Sequence, residues 1–254
     1  MIALGLLLAV ASPDLPPLHL PGAGPATPST RPVTIEADWT TLSPHLRVRP
    51  FSLEHTPEAT AQQLSSSVGR TAAPGLRFAV VLDTPETVGL VGPSAVEGWQ
   101  RSEAEVYAVA LAHTRATLRT DLERYSQKLP GLSGTSIDAE LWSGGDTVAA
   151  LADIRTFVGP APHGVLISAP SRSMVVVHRL DPMDNLGDVL ATFAALATVG
   201  APAGHERFSD SLYWWHDDTF RVLTVTDPHP GPPAVDDGPT LDALRSQLAR
   251  TPKR

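Results

Sequence analysis

An apolar run, a break of turn-forming residues and a second apolar run recur three times in this chain, and that pattern most narrows the folds open to it. In "LRFAVVLDTPETVGLV" a strand over 76–82 meets the turn residues Asp83, Thr84, Pro85 and Glu86, and a second strand returns over 87–91. In "GVLISAPSRSMVVVHRLD" strands over 165–169 and 174–178 flank a Pro-Ser-Arg-Ser turn. In "SLYWWHDDTFRVLTV" two apolar strands are joined through His216, Asp217 and Asp218. Asp side chains accept hydrogen bonds from nearby backbone N–H groups and Pro presets its own φ, so each break favours reversal of the chain and each stretch reads as a β-hairpin.

Helices fill the intervals. Ser102 with Glu105 three residues on forms a capping box, and Val106, Val109, Ala110 and Leu118 continue an apolar face behind it. "SGGD" leads into a helix over 147–157 with Asp146 as its N-cap. Leu186, Val189, Leu190, Phe193 and Leu196 recur at helical spacing up to Gly200, and a last helix covers 241–248. A strand over 45–53, in which Leu46, Val48 and Phe51 supply the apolar side, a helix over 57–68 and a strand over 137–142 complete the pattern. Residues 164–200 and 209–249 share a strand–turn–strand–helix order. Because hairpins dominate, the expected class is α+β, an antiparallel or mixed sheet built from β-hairpins with helices packed on one face.

The chain divides into residues 1–32, an apolar segment followed by a Pro/Gly-rich linker, and residues 33–254, a single α+β domain. The apolar run over 2–11 ends in Ala9-Val10-Ala11, as a secretory signal does, yet no Lys or Arg precedes Arg31. It is too short for a bilayer, which takes about 20 residues. The domain reads as cytoplasmic, or as exported if residues 1–11 are a cleaved signal.

Charge narrows the partners. A formal charge of −8 without a basic run longer than two residues disfavours nucleic acid, whose backbone needs a concentrated basic face. The 19 cations are arginines except for Lys128 and Lys253. With no cysteine there is no disulfide, thiolate nucleophile or Cys-ligated zinc.

No catalytic constellation emerges. The nine histidines contain no H-E-x-x-H, and G-x-S-x-G is absent, so Ser171 and Ser173 lack the strand-to-helix elbow that makes a serine reactive. "WSGGD" could hold an anion at a helix start, but no phosphate-loop spacing supports it. Acidic pairs Glu103/Glu105 and Asp236/Asp237 lie on an exposed helix start and in a loop. For "HDD" two readings stand together: the tip of a hairpin, or a cluster in which His178, His216 and Asp181 or Asp217 meet around an ion or a scissile bond. Alternation sends Tyr213 and Trp215 to one sheet face and Trp214 to the other, leaving one partly exposed aromatic.

The stretch over 76–118, with its hairpin, Trp99 and following helix, and "GVLISAPSRSMVVVHRLD" followed by "FSDSLYWWHDDTF", together resemble the YtpQ-like bacterial proteins, a domain family with no assigned activity. The resemblance spans about residues 45–226; at the place of that family's usual Asn stands His113, and its N-terminal strand and helix have no counterpart. It implies the α+β fold and carries over no site residue. The expectation is therefore a non-enzymatic domain that binds another protein, with Tyr213, Trp214, Arg172, His216 and Asp217 as exposed binding residues and no catalytic residue, metal or cofactor. The alternative is a hydrolase assembled from His178, His216 and Asp217. Oligomeric state is not legible.

Overall fold

A computed structural model describes residues 38–85, 88–131, 133–199, 206–226 and 233–250. The expected linker and signal, the onset of order before residue 38, the end of the first hairpin turn and the closing Gly200 lie outside the described residues. In chain order the elements are α1 (Trp39–Leu42), β1 (Leu46–Ser52), α2 (Glu58–Ser66), β2 (Gly69–Ala73), β3 (Leu76–Asp83), β4 (Val88–Leu90), α3 (Pro93–Gly98) and α4 (Glu103–Asp121). They continue with β5 (Glu123–Pro130), β6 (Ser136–Ser143), a 3-10 turn (Thr147–Asp153), α5 (Ile154–Val158), β7 (Val165–Ser171), β8 (Met174–Arg179) and α6 (Leu186–Val199). Last come β9 (Leu212–His216), β10 (Thr219–Leu223), the short pair β11 (Val225–Thr226) and β12 (Ala234–Val235), and α7 (Pro239–Ala249).

All three expected hairpins form, and the class is α+β, but the hairpins divide between two main sheets. In the four-stranded sheet β3 is central: β1 pairs along one edge, while β2 and β4 share the other. The second sheet runs β10-β9-β7-β8-β6-β5, antiparallel throughout. The two strand–turn–strand–helix units meet within it, because β7 of the first pairs with β9 of the second.

Packing explains why the apolar runs are so continuous. The inner faces of both sheets enclose the main core, where Leu46, Val48, Phe78 and Val80 share one cluster with Trp142, Ile167, Val177, Tyr213 and Trp215. Val106, Ala110 and Leu118 of α4 and the buried 3-10 turn close its side. The outer face of the six-stranded sheet has its own core: Leu166, Val176, Leu212 and Trp214 pack with Phe193 and Ala197 of α6 and Leu241 and Leu244 of α7. Every residue of β7 is consequently buried, as a strand covered on both faces must be. Each such large side chain contributes about 1.5–3 kcal/mol on burial. Phe51 corrects the expected face of β1: one residue out of phase with Leu46 and Val48, it joins Leu64 of α2 beneath the other side of the sheet.

The free edge of β1 is covered. Val48 N–H donates to the Thr114 hydroxyl at 2.8 Å, Pro50 has no N–H to offer, and the Pro50 carbonyl accepts from Arg172 Nη2 at 3.1 Å. Thr114 spends its own proton on Ala110 O at 2.9 Å. The capping box at Ser102 and Glu105 is present in both directions. The expected helix after "SGGD" is instead a seven-residue 3-10 turn that becomes α-helical at Ile154. No helix among the described residues is long and apolar enough to cross a membrane.

Candidate functional site

The "HDD" stretch is a hairpin tip. Thr219 lies opposite His216, and the two residues between them, Asp217 and Asp218, have φ of 48° and 56°. Two left-handed residues match the twist of a two-residue hairpin, and Asp tolerates that region better than most side chains.

The expected binding residues are not an exposed set. Trp214 is 2% exposed, sealed in the outer core, with its Nε1 donating to His163 O at 3.3 Å, Arg221 stacked over its ring and the His216 ring alongside. Tyr213 is buried in the inner core, where burial pushes its phenol far up and the hydroxyl meets Ser209 Oγ at 2.8 Å. The alternation was as expected; exposure was not, because helices cover the second face as well. Arg172 is likewise buried. It reaches Asp146 at 3.1 Å and Glu206 at 3.3 Å, with its guanidinium over the Phe51 and Phe208 rings. Asp146 makes no side-chain cap; its carboxylate joins Arg172 to Arg49, at 3.2 Å, and Arg49 continues to Asp83 at 3.0 Å.

His178 and His216 are not brought together, since β7 lies between their strands. Both ring nitrogens of His178 are taken: Nδ1 by Asp138 O at 2.6 Å and Nε2 by Asp184 Oδ2 at 2.9 Å. Burial disfavours its charge, but both partners are acceptors, so the doubly protonated ring satisfies both and the pKa is raised. Asp181 turns away to accept from Met183 N–H at 2.8 Å. Among the described residues no group of three or more His, Asp or Glu could hold a metal ion.

A different place has the character of a site. Between β2, the middle of α4, the 3-10 turn with α5, and the β9–β10 tip lies a cleft of about 1050 Å³, its open part included. Phe78, Leu151, Trp215 and Phe220 form its apolar lining, with the Phe78 and Phe220 rings edge to face at 5.8 Å. Its charged lining is Arg70, Arg115 and Arg155 with Asp153 and Asp218. Arg70 donates to Ala152 O at 3.0 Å while its guanidinium lies against the rings of Phe78 and Tyr107. Arg115 pairs with Asp153, and Arg155 with Asp218. The arginine side chains of the Asp146 cluster, Arg49 and Arg172, are 8% and 6% exposed; Arg115 and Arg155 are 40% and 69% exposed.

Sequence reasoning missed this cleft because Arg70, Arg115 and Arg155 stand alone in three separate segments that only the tertiary fold joins. None of the expected binding residues lines it; Asp218, the neighbour of Asp217 on the hairpin tip, does. No protein-family model, curated protein or solved structure matches the chain.

Proposed function

We propose that this chain is a non-enzymatic protein-binding domain whose docking site is the cleft between β2, α4, α5 and the β9–β10 tip. The observation that carries the reading is the composition of that cleft, where aromatic rings and three arginines line one concavity in a chain of net charge −8. Arginine and aromatic residues are the groups that dominate binding energy at protein interfaces, and they do so in pockets that shed water on contact. Tyr213, Trp214 and Arg172 then serve the fold, and the partner meets the exposed arginines, with the edges of Trp215 and Phe220 behind them.

Thr219 gives a clean test, because it is exposed at the lip of the cleft and a strand position accepts a large side chain. Tagged chain would be used to capture partners from its native host in three forms: unchanged, Thr219→Trp and Lys128→Ala, the last on the distant edge strand β5. A stoichiometric protein present with the first and third forms and missing from the second is the expected result. Retention by Thr219→Trp places the binding surface elsewhere.

A further inference from the structure

We infer that the partner inserts an acidic side chain among the cleft arginines, and that Asp218 stands in for that carboxylate on Arg155 until the partner displaces it. The inference rests on the cleft being the docking site. Three arginines against two aspartates leave the lining one positive charge in excess, which one incoming carboxylate balances. The rings behind the arginines, Phe78, Trp215 and Phe220, are inner-core side chains at most 7% exposed, so the arginines supply the accessible part of the lining.

The arginines are graded in how firmly they are held. Arg70 is fixed by the Ala152 carbonyl and by two aromatic rings, so it presents its guanidinium without further ordering. Arg115 is tied to Asp153, a carboxylate only 15% exposed. Arg155 and Asp218 are both largely exposed, and such pairs hold weakly against exchange. A guanidinium has five donors in a planar fork, and Asp218 engages Arg155 at Nη2. An incoming carboxylate can take the fork bidentately, a geometry that favours it over a one-point contact. Asp218 meanwhile is free to turn to solvent, since it sits on the hairpin tip. Nucleic acid is disfavoured as the occupant, because a polyanion must also approach a chain of charge −8, whereas one carboxylate meets only the local excess of arginine.

The probe is the acetylated, amidated pentapeptide Gly-Phe-Glu-Phe-Gly, titrated into isotopically labelled full-length chain and followed by NMR. Two companions are Gly-Phe-Gln-Phe-Gly with both ends blocked, and the same Gln peptide with a free C-terminal carboxylate. The Glu peptide is expected to shift the Trp215 indole and the Arg115 and Arg155 side-chain signals. Both Gln peptides should bind about tenfold more weakly, the scale of one charge-assisted contact. Asp218→Asn should tighten the Glu peptide several-fold, and Arg155→Gln should weaken it about tenfold. Both substitutions lie at exposed positions, and the dispersion of each spectrum reports that the fold is kept. Failure of the Glu peptide to bind, or equal binding by the blocked Gln peptide, overturns acidic recognition. Equal binding by the free-ended Gln peptide overturns the side-chain source in favour of a chain terminus. Unchanged affinity in Asp218→Asn overturns the stand-in role. Shifts that persist in Thr219→Trp overturn the cleft itself, an outcome distinct from the other three.

Discussion

Two arginine–aspartate clusters in this molecule use the same chemistry to opposite ends. Around Asp146, two buried guanidinium groups share a carboxylate that is 20% exposed, with the Arg172 guanidinium packed on phenylalanine rings. Around the cleft, the Arg155–Asp218 pair stands in solvent at a hairpin tip. A desolvated charge cannot lose its partner without a large penalty, while an exposed one exchanges partners with water at little cost. The first cluster is thus a fastener between β1, the Gly144–Asp146 loop and the β7–β8 turn, and the second is free to recognise something. Glu140 lies between these extremes: the Trp142 indole and two arginines hold it, and those arginines, Arg124 and Arg179, are 39% and 41% exposed.

The largest effect should come from the closed cluster. Asp146→Ala removes the carboxylate that two buried guanidinium groups share, leaving Arg49 to Asp83 and Arg172 to Glu206, and is expected to cost about 3 kcal/mol, read from urea unfolding. If it costs as little as an exposed pair, the contrast between the clusters collapses. Titration comes next and has a definite sign. His178 has a raised folded pKa, so its contribution is complete below the ordinary histidine value of 6.5 and is lost as pH rises through the folded value. Glu140 loses water on burial, yet its arginine and indole bonds outweigh this and lower it from 4.5 to about 2. Its contribution is present above 4.5 and is lost as pH falls toward about 2. The urea midpoint should therefore decline on both sides of that interval, with the alkaline decline absent in His178→Gln and the acid one reduced in Glu140→Gln. Ser102→Ala, which removes half of a solvent-facing capping box, should cost about 1 kcal/mol. Asp218→Asn, which keeps a residue suited to the left-handed backbone there, should be smallest, under about 1 kcal/mol, while still altering binding at the cleft. A large loss there would make the tip a fastener too.

What could be read in advance follows from how local the cause is. The three hairpins and α4 were legible because alternation, turn residues and the Ser102–Glu105 pair act within a few positions. β5 was not, since an edge strand exposed over most of its length carries no apolar alternation; its pairing with β6 includes Lys128 set directly opposite Asp138 at 2.8 Å. β2 escaped for the related reason that "GRTAA" is mostly polar, although Gly69 records it: a Cβ there would lie 2.2 Å from Phe78 O on the neighbouring strand. Asp146 and Arg172 looked like a cap and a turn residue, and each was claimed by partners far along the chain. The cleft belongs to the same class of non-local facts, drawing one arginine each from a strand, a helix and a short helical turn.

The covered edge of β1 has a consequence for behaviour in a crowded solution. An open strand edge is a template on which one copy can recruit the next, and growth of that kind needs successive donors and acceptors on the exposed rim. Here one donor is occupied by a threonine, another is missing because the residue is proline, and a carbonyl is filled by a buried arginine. Polymerisation of the four-stranded sheet through β1 is blocked at its first step, so concentrating the folded protein does not by itself seed fibres from that side.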